Sequence, residues 1–479
     1  MLRLVLAALL IGGALAVLTL ARSDVQITRG GIGQTPVTEY AMPGAEGPQV
    51  VIAHGFAGSQ PMMQGYVLPL ARAGYRVKTF DFLGHGRNPV PMSGDVTAVD
   101  GTTGLLVAQV SKVLDAVAEG DAPVALMGHS MATDVLVRVA QQRQDVGPLV
   151  LISAFSQEIT ATAPTSMLLI TGAWEPGLRA FALDAVQMVQ DGAIPGQTVE
   201  QGDVQRRAVI APASEHVAVL HSRVGRAEAL AWLDQFYDRS SDVRVLPSGW
   251  AILALLFGVV LIFKPLLRWV GSQPPSAPDL SLRQTGALVL MPMLLAPLVA
   301  VVPHPAFLPV LVADHLMLHL LIFGGLQLGL LRRWGIPIGA FDLRAFGVVL
   351  FWSAAFGLAL NAFAATFWPT GARWWIVVVI ALGAVPYMLA DATLAAILPL
   401  WRRLALRAGF IASLILAVVL DFEGLFFLIM IAPVMILFYA IFGTVGRATA
   451  RKSGPLAPGI ALGLVLAWAL GVSFPLFQA

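Results

Sequence analysis

Residues 124–132 read Val-Ala-Leu-Met-Gly128-His129-Ser130-Met131-Ala132, and this stretch decides the fold. Four apolar residues of strand length run into a serine, and from Ala132 to Gln142 the apolar spacing becomes helical. A serine on so sharp a turn between strand and helix needs small residues two positions to either side, because the backbone there passes close to itself. Gly128 and Ala132 meet that need.

Working outward, strand-length apolar runs recur at Gln49–Ala53, Arg76–Phe80, Pro148–Ser153, Met167–Thr171 and Arg207–Ile210. Between them, Pro61–Ala73, Thr103–Ala118, Ala132–Gln142 and Gly225–Tyr237 carry helical spacing. Alternating strands and helices predict an α/β class fold, a mostly parallel doubly wound sheet covered on both faces. In such sheets chemistry gathers at the carboxyl ends of the strands. The unusual residues fall there: the loop His54-Gly55-Phe56-Ala57-Gly58-Ser59, then Ser130, then Glu175 and His216.

Together, the Gly-x-Ser-x-Ala turn, the glycine-lined loop after Val50–Ala53 and the order serine, acid, histidine resemble the α/β-hydrolase family over roughly Val50 to Phe236, under half of the chain. The resemblance implies that Ser130 is a nucleophile, that His216 takes its proton, and that Glu175 orients and charge-balances the imidazole. It implies also that the backbone N–H groups of Phe56 and Met131 form an oxyanion hole, a kind of donor worth about 3–4 kcal/mol in related chemistry. Asp81-Phe-Leu-Gly-His-Gly-Arg87 resembles the family's structural turn after the second of these strands and is assigned no chemistry. Two positions depart from the usual pattern: Ala132 where glycine is commoner, and Glu175 where aspartate is usual. Glu175 has a rival reading as a solvated loop acid, and His221, five residues on, competes with His216, which follows its strand directly. His54, His85 and His129 read as supporting loop residues, so no metal and no cofactor are expected.

Composition sets this domain in a larger frame. The chain has 479 residues, 57% of them hydrophobic, and charged residues reach 12% against about 25% in typical globular domains. Its mean hydropathy is +0.78. The net charge of +2 and the lack of basic runs interleaved with aromatics argue against a nucleic-acid partner. With no cysteine there are no disulfides, thiolate metal sites or cysteine nucleophile.

Residues 1–22 form an uninterrupted apolar run after Arg3, longer than a usual signal-peptide core, and are read as an N-terminal transmembrane anchor, with a cleaved signal peptide as the alternative. Residues 23–245 hold most of the acids and form the hydrolase domain, and residues 246–479 read as an all-α multispan membrane domain. Spans are expected near 249–267, 284–302, 306–330, 345–367, 375–399, 407–420, 425–445 and 457–477. Lys264, Arg268, Arg283, Arg332, Arg333, Arg344, Arg402, Arg403, Arg407, Arg447, Arg451 and Lys452 then share the side of Arg3, and Arg373 alone falls opposite. By the positive-inside rule that side is the cytoplasm. The hydrolase domain is therefore expected on the periplasmic side of a bacterial inner membrane.

The gap Phe155–Ser166 is too short for a helical cap, leaving the site open unless the membrane half covers it. A capless, membrane-tethered site suggests a lipid or acyl-ester substrate, cleaved or transferred through an acyl-enzyme on Ser130, with the bilayer itself as partner. Within the helical half, Asp314, His315, His319, Asn361 and Asp391 are ionisable or polar groups inside apolar spans, open to a chemical role or to helix packing. They motivate an alternative: a transporter or channel whose exported domain binds ligand without turnover. Oligomeric state is not legible.

Overall fold

The computed structural model describes residues 1–94, 99–118, 122–274, 279–303 and 307–478. Among the described residues, nine strands form one sheet: β1 (Gln26–Ile32), β2 (Thr35–Ala41), β3 (Gln49–Ala53), β4 (Arg76–Phe80), β5 (Val124–His129), β6 (Val146–Ile152), β7 (Ser166–Gly172), β8 (Thr198–Gln201) and β9 (Val204–Ala211). Their order is β1-β2-β4-β3-β5-β6-β7-β9-β8, with the six strands from β4 to β9 parallel and antiparallel strands at both edges. This is the expected α/β-hydrolase fold. Five of the six predicted strands agree within two residues at each end; the one at Arg207–Ile210 starts earlier, as part of β9.

Helices α1 (Leu2–Arg22) and α2 (Gln64–Arg72) precede α3 (Gly104–Val117), α4 (Met131–Gln142), α5 (Pro176–Gln187) and α6 (Arg223–Phe236). Alternate residues of the central strands feed two apolar clusters. Val51, Ala53, Leu126 and Leu151 pack with α3, α4 and α5 on one face. Val50, Ile52, Met127 and Ile152 pack with α2 and α6 on the other. Strands covered on both faces have no polar side to show, which is why they read as continuous apolar runs.

Three strands and one helix escape the sequence reading. β1 is exposed along nearly its whole length, and its Gly30-Gly31 pair lacks apolar alternation. β2 and β8 are edge-side strands in which polar residues such as Thr35, Thr38, Glu39, Thr198, Glu200 and Gln201 break up the apolar run. α5 begins with Pro176 at its first position, directly after the acid.

The helical half comprises α7 (Ser248–Leu266), α8 (Leu282–Val301), α9 (Ala313–Arg333), α10 (Leu343–Phe363), α11 (Arg373–Ile397), α12 (Leu400–Leu420), the short α13 (Phe422–Leu425), α14 (Ile431–Ser453) and α15 (Leu456–Ser473). Among the described residues, nine helical segments including α1 are long and apolar enough to cross a membrane. The start predicted at residue 306 lies outside the described residues. The span predicted at 407–420 begins instead at Leu400, after Pro399, so Arg402, Arg403 and Arg407 are helical rather than loop residues. Two of these charges are met within the fold: Arg402 donates to the Leu280 carbonyl at 2.5 Å, and Arg407 makes two 2.9 Å bonds to Asp391 across the bundle.

The other polar groups of the bundle are similarly engaged. Asp314 accepts the Leu308 N–H at 3.0 Å, and Asn361 accepts that of Phe367 at 2.9 Å. Ser413 donates to the Phe410 carbonyl at 2.7 Å, so His319 Nε2, 2.8 Å from its hydroxyl, is the donor in that pair. Such contacts are what helix packing asks of polar residues in an apolar setting.

The two halves are joined at the end of the bundle that carries Arg373. Its buried guanidinium donates to the carbonyls of Phe474 at 2.6 Å and Gly84 at 2.7 Å, bridging α11, the segment after α15 and the hydrolase turn. That segment continues as a strand-like strap: Leu476 N–H reaches Gly84 O, Met92 N–H reaches Leu476 O, and Phe477 N–H reaches Pro309 O, all within 2.8–2.9 Å. The single basic residue against the positive-inside pattern is thus a buried structural cation, its charge met by carbonyls at the C-terminus of a helix.

Candidate active site

Three strand ends bring the predicted residues together. Ser130 follows β5 directly at φ +54°, ψ −119°, a backbone state that a side chain adopts at a cost of about 1–3 kcal/mol. A Cβ at Gly128 would stand 3.0 Å from Ala132 Cβ and 2.7 Å from Leu136, the close approach expected of a residue two positions before the serine. β7 delivers Glu175 and β9 delivers His216.

His216 Nε2 lies 2.9 Å from Ser130 Oγ, and its Nδ1 lies 2.6 Å from Glu175 Oε1. Burial alone raises the Glu175 carboxyl, but hydrogen bonds from His216, the Gly172 N–H and the Ser153 hydroxyl outweigh it and hold the carboxyl below its ordinary value. Glu175 is therefore a carboxylate and can only accept. The proton between it and His216 sits on Nδ1, leaving the Nε2 lone pair to receive the serine hydroxyl. The arrangement can remove a proton from Ser130 as its oxygen attacks an electrophile, and can stabilise the imidazolium that results.

Supporting contacts fix each member. Gly172 N–H and Ser153 Oγ bind Glu175 Oε2 at 2.6 and 2.8 Å, leaving Oε1 for the histidine. Ser153, itself at φ +50° at the end of β6, carries no motif that sequence reading could have used. His129 Nε2 donates to the His216 carbonyl at 2.8 Å, and burial, with the neighbouring His216, pushes the His129 imidazole down to about 4, so it stays neutral in this role. His221 ends a short helical turn, packed against Gly249 at the start of α7, and takes no part in the site.

The loop predicted to hold the oxyanion is anchored through His54. Its Nδ1 donates to the Gly55 carbonyl at 2.8 Å and its Nε2 accepts the Phe82 N–H at 3.1 Å, so the ring is neutral, and burial lowers its affinity for a second proton. Asp81, fully buried, accepts the N–H groups of Gln60 and Arg87 and closes the structural turn. Met131 is the first residue of α4, so its N–H has no intrahelical acceptor, and Phe56 lies in the loop facing it. Neither N–H has an acceptor among the described residues.

Gly55 must remain glycine for reasons of space. An added Cβ would stand 2.8 Å from His129 Nδ1 and 3.1 Å from Ser130 Cβ. Gly55→Ala is expected to push the loop off the serine turn and lower kcat/KM for any acyl substrate attacked by Ser130 about 10²-fold. Steady-state kinetics checks this, with a thermal melt to establish that the variant is folded.

The site's surroundings are apolar. A hollow of about 480 Å³ beside Glu175 is lined by Phe155, Pro176, Gly177, Leu178 and Phe181. On the opposite side the helical half closes over the loop. Phe56, Met131 and Leu311 pack against the cluster containing Phe82 and Phe477, and the Phe56 ring lies 5.5 Å from that of Phe427. The missing cap is thus partly replaced by segments between apolar helices.

A family model described as serine aminopeptidase, S33, matches residues 45–191, which include Ser130 and Glu175 and stop short of His216. No curated protein sequence matches significantly. Among solved structures, a CIB-like hydrolase from Thermoplasma acidophilum is 16% identical, covering 44% of this chain and 98% of its own, with a TM-score of 0.35. A dienelactone hydrolase from Anabaena variabilis is 19% identical over 45% of this chain and 99% of its own, TM-score 0.33. A membrane phospholipase A, a bacterial virulence factor, is 14% identical over 48% of this chain and 93% of its own, TM-score 0.34.

Proposed function

We propose that this chain, an α/β-hydrolase fused to a helical half of apolar helices, is a membrane-embedded serine hydrolase that cleaves acyl esters of lipid-like substrates. The observation that carries the reading is the continuous relay from Ser130 through His216 to Glu175, set where the hydrolase domain meets the ends of apolar helices. Ser130 Oγ attacks the acyl carbon while its proton passes to His216 Nε2. The Phe56 and Met131 N–H groups receive the negative charge on the carbonyl oxygen. His216 then protonates the leaving alcohol, and water, activated by the same imidazole, frees the acid and restores Ser130. A second alcohol in place of that water makes the same centre an acyltransferase.

The preference for an ester of an uncharged acyl group over an aminoacyl amide rests on the site's carboxylates. An aminopeptidase must bind a free ammonium. Glu175 is committed to His216, Ser153 and Gly172, while Glu215 accepts the N–H groups of Val217 and Ala218 at 2.9 and 2.7 Å. The hollow beside Glu175 is lined by aromatic and aliphatic side chains, and Phe56 and Met131 pack in an apolar cluster.

Embedding in a bilayer is supported by two belts of tryptophan. Trp250, Trp368, Trp374 and Trp375 stand at the hydrolase end of the helices, and Trp269, Trp334 and Trp401 at the far end, among the arginines. The hydrolase domain then faces the periplasm of a bacterial inner membrane. The full chain in nanodiscs should hydrolyse a long-chain p-nitrophenyl ester at least tenfold faster than an aminoacyl p-nitroanilide. Turnover of the anilide alone would overturn the ester reading.

A further inference from the structure

Between α12 and α14 the chain does not simply turn. Asp421 Oδ1 caps the Gly424 N–H at 3.0 Å and starts a short irregular helix that runs to Met430. Leu425 and Leu428 point into the bundle, whereas Phe422, Phe426, Ile429 and Met430 are exposed, Phe422 by 62%. A loop that buries its leucines and still presents four large apolar side chains outward is built for contact with hydrocarbon.

These side chains are not scattered. Phe422 meets Phe426 at 5.5 Å between ring centres, Phe426 meets Phe427 at 5.9 Å, and Phe427 meets Phe56 at 5.5 Å. The row begins at the exposed edge of the helical half and ends on the loop that faces Ser130. At its outer end it is continuous with Val419 and Leu420 of α12, both exposed. Asp421 and the exposed Glu423 flank Phe422 at this outer end, and from Phe426 inward the row consists of aromatic rings.

We propose that the row Phe422, Phe426, Phe427 and Phe56 is a binding track for one acyl chain of a membrane lipid, leading it from the bilayer to Ser130. The inference rests on the ester-hydrolase reading and names the substrate class of that same site. An acyl chain suits the row because it is flexible, apolar and narrow, and because a ring surface offers contact without a fixed partner for any polar group. The phenylalanines then act on chain length: a long chain lies along the row while its carbonyl reaches Ser130, and an acetyl group does not touch it.

The test compares a dodecanoyl with an acetyl p-nitrophenyl ester, using the full chain in nanodiscs. In Phe427→Ala, and separately in Phe426→Ser at the exposed part of the row, the ratio of kcat/KM for the long ester to that for the short one is expected to fall about tenfold. Phe427→Leu, which keeps apolar bulk, is expected to recover most of the ratio. An unchanged ratio in folded Phe426→Ser and Phe427→Ala would remove the track and leave the hydrolase assignment standing. Equal losses on both esters would make Phe427 a prop for the Phe56 loop and also overturn the proposal. Failure of the unmodified protein to turn over either ester would end the hydrolase reading itself, and the track with it.

Discussion

Ser130→Ala is expected to abolish labelling by a fluorophosphonate probe and to lower ester turnover by a factor on the order of 10⁶. The size follows from what the hydroxyl does: without it no acyl-enzyme forms, and neither His216 nor the loop N–H groups supply a substitute bond. Alanine is the appropriate replacement because it keeps the Cβ, 3.1 Å from the space that a side chain at Gly55 would fill. The strained φ of +54° also remains, so the melting temperature should change little. Burst kinetics with a p-nitrophenyl ester and gel fluorescence with the probe read the two outcomes separately. Labelling that persists in the variant would place the nucleophile elsewhere.

Glu175→Gln is expected to lower kcat by a factor on the order of 10⁴ while leaving substrate affinity nearly unchanged. The carboxylate has two separate tasks. Oε2 is bound by Ser153 and the Gly172 N–H, and Oε1 faces His216 Nδ1 at 2.6 Å. In glutamine one of these positions becomes an amide nitrogen. Gly172 and Ser153 both donate, so the amide oxygen takes the Oε2 place and the amide nitrogen faces the imidazole. Its N–H favours the tautomer with the lone pair on Nδ1, which puts the proton on Nε2 and deprives Ser130 of its base. Kinetics of the full chain together with the proton NMR signal of the His216 Nδ1–H check the claim. A loss below tenfold would show that Glu175 does not set the tautomer.

Much of this was legible beforehand because covalent proximity did the work. Gly128, Ser130 and Ala132 constrain one another within a single turn, and a strand buried on both faces has to be apolar throughout, as Val50–Ala53 and Leu168–Ile170 are. The helical spans were visible for the same local reason: hydrocarbon demands about 20 apolar residues in a row. The hairpin of β1 and β2 was not visible, since an exposed edge leaves its residues free to be polar. Neither was Ser153, whose role depends on a carboxylate arriving from another strand.

The sequence by itself determined the kind of chemistry and the division into a charged and an apolar half, because both follow from residue type and short-range spacing. Only the tertiary structure set His216 rather than His221 beside Ser130, found the partners that hold Glu175, turned Arg373 from an exception into a joint, and brought Phe427 against Phe56. Gly172 apart, those pairs are separated by 22 to several hundred residues. Contacts at that separation are selected by the energy of the whole packed molecule, and no local run of residues carries their record.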